Sequence, residues 1–405
     1  MIRRKTSLPG FFRRAHACCF SYFCASLKKP FQHNRVKKLK QAAFTKKQEE
    51  VLRSIRPSRI ILPILIGIGV VGYLLWNQFD PAEFSKISWT THTLFWITLS
   101  VTLLIIRHLA YANRLRVLSE GAFNWRKSIE LVFIWEFSSA VSPTSLGGSA
   151  VAFFVLAQEK LPTAKTATIV LYTIVLDTIF FVGTLPVLYA FFGAEIIRPG
   201  MKNFADFDAW GYYFLFAYAL MAVYGSVFYY GLFVNPLQLK RFLVGFTRLR
   251  FLRKFRHKAI EMGNDMMVAS TEMKRHKWPF HLSAFLSTAT AWSCRFLLLN
   301  CLIIAFVNNI PTDFYTQFEL YARLETMFVI IAFSPTPGGA GFVEILFSGF
   351  LSDYVQNVTN STVISTLWRL MTYYSYLLAG VIVIPNWIRK IINARKRRAK
   401  KHLES

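Results

Sequence analysis

The sequence predicts an all-α polytopic membrane protein: six transmembrane helices plus two re-entrant broken-helix hairpins, arranged as an inverted repeat. Three observations predict it. Apolar residues are gathered into blocks of membrane-spanning length. Lysine and arginine are gathered into three segments outside those blocks. A Ser-Pro-Thr motif followed by paired glycines occurs twice, at 142–148 and 334–341.

The blocks come first. A chain of 405 residues has the length for two or three soluble domains. Yet 54% of its residues are hydrophobic and only 17% are charged. The apolar blocks run Ile60 to Phe79, Thr91 to Tyr111, Thr166 to Phe192, Tyr212 to Val234, His281 to Val307 and Val363 to Pro385. Each approaches or exceeds the ~20 residues that a helix needs to cross a bilayer. Two shorter apolar stretches surround Pro143 and Pro335. The predicted organisation is a basic, partly disordered N-terminal tail (1–58), a membrane domain (59–388) and a basic C-terminal tail (389–405). Within the membrane domain, 235–279 reads as a basic amphipathic segment on the membrane surface.

The charge pattern decides the topology. A soluble protein of net charge +27 would suggest nucleic acid. Here no folded basic domain is visible, and the charge flanks apolar blocks, so a lipid surface is expected and nucleic acid is not. If all eight apolar stretches crossed, the segment holding Lys240, Arg241, Arg248, Arg250, Arg253, Lys254, Arg256 and Lys258 would lie outside. That violates the positive-inside tendency. If the stretches around Pro143 and Pro335 enter and leave on one side, six spans remain. Both termini, Asn113 to Lys127 and Asn235 to Lys277 then face the cytoplasm. The expected location is a cell membrane, crossed several times, with both termini on its cytoplasmic side. The two hairpins enter from opposite faces, as in many transporters built from inverted repeats.

The repeat is legible in the residues themselves. One copy reads Ser142-Pro143-Thr144-Ser145-Leu146-Gly147-Gly148 and the other Ser334-Pro335-Thr336-Pro337-Gly338-Gly339-Ala340-Gly341. Asp177 lies 34 residues after Pro143, and Arg369 lies 34 residues after Pro335. Arg107 precedes the first motif and Arg295 the second. Proline removes a backbone donor and breaks the helix, while glycine permits the turn and close approach. Broken backbone at membrane depth survives only inside protein or beside a watery cavity. Its helix ends offer donors to an anion. A plain proline kink or small-residue packing seam is the structural alternative.

Ionisable residues within the apolar stretches are expensive, hence functional candidates. They are Arg107, Asp177, Arg295, Arg323, Glu325, Glu344 and Arg369. Arg107, His108 and Arg323 can equally snorkel to an interface. Asp177 either pairs with an arginine to lock the repeats together or lines a polar cavity. Arginine suits bidentate phosphate contacts, so an anionic head group is favoured over a cation. Arg107, Asp177, Arg295, Glu344 and Arg369 are the candidate head-group residues.

At Pro335-Thr336-Pro337-Gly338-Gly339-Ala340-Gly341-Phe342-Val343-Glu344 the chain resembles the lysylphosphatidylglycerol synthase transmembrane region, or flippase-like, family. The resemblance covers roughly Arg59 to Ile388. It implies moving or handling phospholipids or lipid-linked glycans in a bacterial cytoplasmic (inner) membrane, and polar roles for Asp177, Glu344 and Arg369. Family members often carry an acid after the first Gly-Gly pair and an arginine three residues later. Ser149 and Ala152 stand there in this chain.

A lipid flippase is therefore the leading expectation, with an anionic phospholipid or lipid-linked glycan as partner. An enzyme on lipid-linked substrates is the first alternative. A scaffold for a separate transferase, docked on 235–277, is the second, and a homo-oligomer is left open. The five cysteines and eight histidines show no metal spacing or disulfide framework. No catalytic or nucleotide-binding motif stands out, so neither metal nor cofactor is expected.

Overall fold

The computed structural model describes residues 85, 89–141, 152–153, 155–159, 161–197, 200–201, 208–248, 252–307, 310–334 and 342–403. The expected first span (Ile60 to Phe79) lies outside the described residues, as do the N-terminal tail and Ser149. So do the motif residues Ser142, Pro143, Thr144, Gly147 and Gly148 of the first hairpin. Pro335, Thr336, Pro337, Gly338, Gly339 and Gly341 of the second also lie outside, while Ser334 is described and buried.

Every regular element among the described residues is helical. Helix α1 spans Thr91–Leu118 and α2 Trp125–Val141. Helix α3 (Thr163–Phe192) ends in a 3-10 turn, Gly193–Ile196. Helix α4 (Ala209–Tyr229) runs into a π turn, Tyr230–Val234. Two helices follow in the basic segment, α5 (Pro236–Phe246) and α6 (Arg256–Met273). Helices α7 (Trp278–Phe306), α8 (Phe314–Ala332) and α9 (Phe342–Phe350) come next. Helix α10 (Val358–Arg369) continues through a π turn, Leu370–Tyr374, into α11 (Ser375–Leu403).

Local chemistry starts the helices where they start. Asp208 accepts the backbone N–H groups of Trp210 and Gly211 at 3.0 Å, capping α4. Asp313 accepts that of Thr316 at 2.9 Å and caps α8. Asn235 caps α5, with Pro236 in its first turn.

Five stretches are long and apolar enough to cross a bilayer: Thr91–Leu118, Ala164–Ile196, Ala209–Val234, Trp278–Phe306 and Val358–Ile391. They coincide with five of the six expected spans. Boundaries differ at one functional place. The apolar block ends at Tyr111, but α1 carries on to Leu118, and Asn113 and Arg114 find partners on α7. Helix α9, at nine residues, rises only about 14 Å, under half of the ~30 Å hydrocarbon thickness.

Helices α1 and α7 pack against each other along most of their length, antiparallel. Trp89 meets Phe306 at one end. Ser100 donates to the carbonyl of Leu298, and Asn113 to Ser287 (2.9 Å), further along. Helix α7 is the innermost span, with 72% of its apolar window buried; α1 has 22%. Phe95, Val101, Ile105 and Leu109 of α1 are exposed, as suits a helix facing lipid. Helices α3 and α4 meet at Gly225, where an added Cβ would lie 2.1 Å from Thr178 Cγ2.

The buried apolar residues form two clusters. One gathers the end of α3 with α7, α8, α9 and α10. The other gathers the end of α1 with α2, the start of α3, α5 and α6. Leu176 belongs to the second and Phe180 to the first, so Asp177 sits where they meet.

Candidate functional site

The site is built on one face of α1. Arg107, Tyr111 and Arg114 stand four and three residues apart, so they share that face. Opposite, on α7, Thr288, Trp292 and Arg295 have the same spacing. The antiparallel crossing brings Arg114 to Thr288 and Tyr111 to Trp292, whose rings meet edge-on at 6.4 Å.

Arg107 is fully buried. Its Nη1 donates to Tyr376 Oη at 2.8 Å and its Nη2 to Glu136 Oε1 at 3.0 Å. The guanidinium also lies over the Tyr111 and Tyr376 rings, 5.0 and 5.4 Å from their centroids. One side chain thus ties α1 to α2 and α11. Arg107 does not snorkel, because the partly buried Glu136 carboxylate neutralises it in place. Its neighbour His108 lies against Phe133, with ring centroids 4.1 Å apart and the rings tilted by 35°, and is 3.3 Å from Tyr376 Oη.

Asp177 accepts from Arg114 Nη1 at 2.6 Å and from Trp292 Nε1 at 3.0 Å. Arg114 donates a second bond to Thr288 Oγ1 at 3.3 Å and covers the Tyr111 ring at 4.6 Å. Of the two sequence readings of Asp177, pairing with an arginine is the one observed. It ties α1, α3 and α7 together.

Arg295 differs from both. Its guanidinium lies over the rings of Phe328 (4.8 Å) and Trp292 (5.7 Å). Its Nε is buried with no hydrogen-bond partner among the described residues. It lies close enough to Arg107, Glu136, Tyr111 and Tyr376 to interact electrostatically with each. The sequence explains the difference. Glu136 stands seven residues before Pro143, and Phe328 stands seven before Pro335. Arg107 therefore meets a carboxylate where Arg295 meets a phenyl ring.

The remaining candidates lie elsewhere. Arg369, buried at the end of α10, covers the Tyr373 ring at 5.2 Å. Tyr373 Oη donates to the carbonyl of Ala140 near the end of α2. Glu344 lies on α9, its side chain outside the described set. Arg323 is held by Asp353 (2.5 Å) and Glu319 (2.6 Å), an assembly separate from Arg295. Among the described residues, no three His, Cys, Asp or Glu side chains converge as metal ligands would.

A second ionic assembly ties the basic side of the helices together. Lys165 donates to Glu120 and to Glu272, the latter at 2.5 Å. Lys127 pairs with Glu159 (2.6 Å), which also accepts from Trp387 Nε1 (2.5 Å). The Lys165 hydrogen bond holds the Glu120 carboxyl below its ordinary range, and the Lys165 and His276 charges act in the same direction.

Sequence reasoning missed Glu136 and Arg114. Glu136 interrupts the run Leu131–Phe137 much as Asp177 interrupts its own span, and the same rule would have flagged it. Arg114 falls outside the apolar block that ends at Tyr111, while its helix runs on past it.

The geometry can now be set beside known proteins. A family model described as lysylphosphatidylglycerol synthase TM region matches residues 60–380. A curated protein of Archaeoglobus fulgidus called a UPF0104 membrane protein is 24% identical over 341 residues, 80% of this chain and 95% of that protein. No solved structure matches significantly. The matched stretch holds the α1–α7 pair, both motif copies and every residue of the arginine-rich site. The chain is a multi-pass membrane protein and belongs to the lysylphosphatidylglycerol synthase TM region family.

Proposed function

We propose that this protein moves the head group of an anionic phospholipid or lipid-linked glycan across the cytoplasmic membrane. The observation that carries the reading is Arg295: a buried guanidinium over two rings, with no carboxylate paired to it among the described residues. Arg107 and Arg114 are each neutralised by an acid, so they hold the frame. Arg295 keeps its charge for a phosphate, which guanidinium contacts in bidentate fashion. In this reading the motif copies at 142–148 and 334–341 are re-entrant turns of an inverted repeat entering from opposite faces. The antiparallel α1 and α7, and the short α9, support that arrangement. An apolar groove of about 550 Å³ on the adjoining face of α1, lined by Ile106, Leu109, Leu282 and Leu286 and floored by Asn113 and Ser287, suits an acyl chain. Exposed Phe242 and Phe246 beside Arg241 and Arg248 suit α5 to the inner lipid surface.

The test is translocation of a fluorescent anionic phospholipid in vesicles containing the purified chain. The expected result is movement above that in empty vesicles, reduced at least tenfold by Arg295→Ala, which corresponds to about 1.4 kcal/mol. Equal rates in protein-containing and empty vesicles would overturn the reading.

A further inference from the structure

Glu325 is fully buried on α8, and among the described residues no cation pairs with it. Arg323, two residues earlier, turns away to Glu319 and Asp353. On α8 itself, Tyr321 faces Glu325, with its hydroxyl 3.2 Å from Ser293 Oγ of α7. From α4, Tyr218 faces it and donates to the carbonyl of Val182. From α7 comes the buried Cys294, beside Tyr321. The 3-10 turn after α3 contributes Glu195, which faces Arg323. From α9, the Glu344 side chain is outside the described set. From α3 comes Thr184, whose hydroxyl is in hydrogen-bond contact with Glu325 Oε1.

That hydroxyl settles a proton count. A threonine hydroxyl carries one proton. Thr184 Oγ1 also lies 2.7 Å from the carbonyl of Phe180, one helical turn back. A carbonyl oxygen only accepts, and so does an ionised carboxylate. With Glu325 ionised, two acceptors share one proton. With Glu325 neutral, the carboxyl donates to Thr184 Oγ1, Thr184 donates to Phe180, and both contacts are bonds. Glu325 Oε2 is buried with no partner among the described residues. Such an oxygen is tolerable on a neutral acid and very costly on an anion without a counter-ion.

We infer that Glu325 is a proton-binding site of the membrane body: it holds a proton in the resting protein and exchanges it at the α3–α8 contact. Resting on the translocation reading, the inference supplies that reading with a coupling ion. Losing the proton leaves a bare charge between α3 and α8, and only a rearrangement that lets in water or a cation relieves it. The proton is the ligand favoured here, because it alone turns both Thr184 contacts into hydrogen bonds.

Infrared spectroscopy of the full chain in lipid nanodiscs reads the proton directly. At neutral pH the wild type is expected to show a protonated-carboxyl C=O band that shifts in heavy water. Glu325→Gln abolishes that band. Thr184→Val keeps the band but moves it, because the hydroxyl partner is gone. An unchanged carboxyl region in Glu325→Gln overturns the inference, and so does a band removed by sodium at constant pH. The vesicle assay adds the second half. An imposed proton gradient is expected to change wild-type translocation at least threefold and that of Glu325→Gln not at all. Translocation in the wild type indifferent to the gradient refutes coupling. A band present without any lipid movement counts against the translocation reading and leaves the proton site standing.

Discussion

Replacing Glu136 with leucine leaves the Arg107 guanidinium buried with a tyrosine hydroxyl as its remaining hydrogen-bond partner. Removing one member of a buried ion pair costs about 3–5 kcal/mol, since the other charge stays desolvated. The structure places the cost at the upper end. Arg295 lies within electrostatic range of both Arg107 and Glu136, so losing the acid leaves two cations facing each other. Losing Arg107 instead leaves Glu136 with Arg295 as an alternative partner. Arg107→Met should therefore cost less, about 1–3 kcal/mol, near the price of a lost charged hydrogen bond. The double variant Arg107→Met/Glu136→Leu removes both charges at once and should come out within about 1 kcal/mol of wild type, or above it. The assay is denaturant unfolding of the detergent-solubilised chain followed by tryptophan fluorescence, with the slope checked for constancy across variants. Equal costs for the two single variants, or a double variant equal to their sum, would refute the shared three-residue electrostatic unit.

Two further outcomes follow. Arg295→Met should leave stability unchanged or slightly higher, because it removes a charge with no carboxylate and retains stacking on Phe328; the same variant should abolish lipid movement, and a loss above about 2 kcal/mol in the unfolding assay would make Arg295 structural instead. Glu120, whose carboxyl is held below its ordinary value by Lys165, contributes stability that is full above the unfolded value, about pH 4, and is lost as pH falls through the folded value. Thermal unfolding in a pH series should show a shallower acid limb in Glu120→Gln than in wild type, and superimposable limbs would count against the tie.

Much of the architecture was legible because a bilayer leaves few solutions. Five expected spans, the helix pair within 235–279 and the break before Pro335 all follow from apolar length, charge and proline. Which residues touch was less legible. Asp177, Arg107 and Arg295 were picked out as expensive residues, but expense does not name a partner. Glu136 escaped notice because it sits in a shorter, broken apolar stretch, where an acid looks less anomalous. Arg114 escaped because a hydropathy block ends where lipid contact ends, and the helix continues as long as protein partners hold it. Arg369 and Arg295 look alike in sequence, yet only the fold puts Arg295 opposite Glu136.

The two motif copies are most informative where they differ. Arg107 and Arg295 occupy comparable places on antiparallel helices, and the position seven residues before each proline decides their fates. With glutamate there, the arginine is neutralised and becomes a strut between α1, α2 and α11. With phenylalanine there, the arginine keeps an unbalanced charge on an aromatic bed. A matched pair of struts would make a rigid, inert body. A matched pair of unbalanced arginines would repel across the same small space. One of each gives a frame carrying an arginine with no carboxylate partner among the described residues, and in the proposed reading that arginine is the group that receives an anion. Glu325 is then the complementary case, an acid without a cation on the helix that also supplies Phe328. Substituting Phe328 with glutamate should convert the site into two struts, raising stability while removing lipid movement, and unimpaired movement in that variant would show that the asymmetry is incidental.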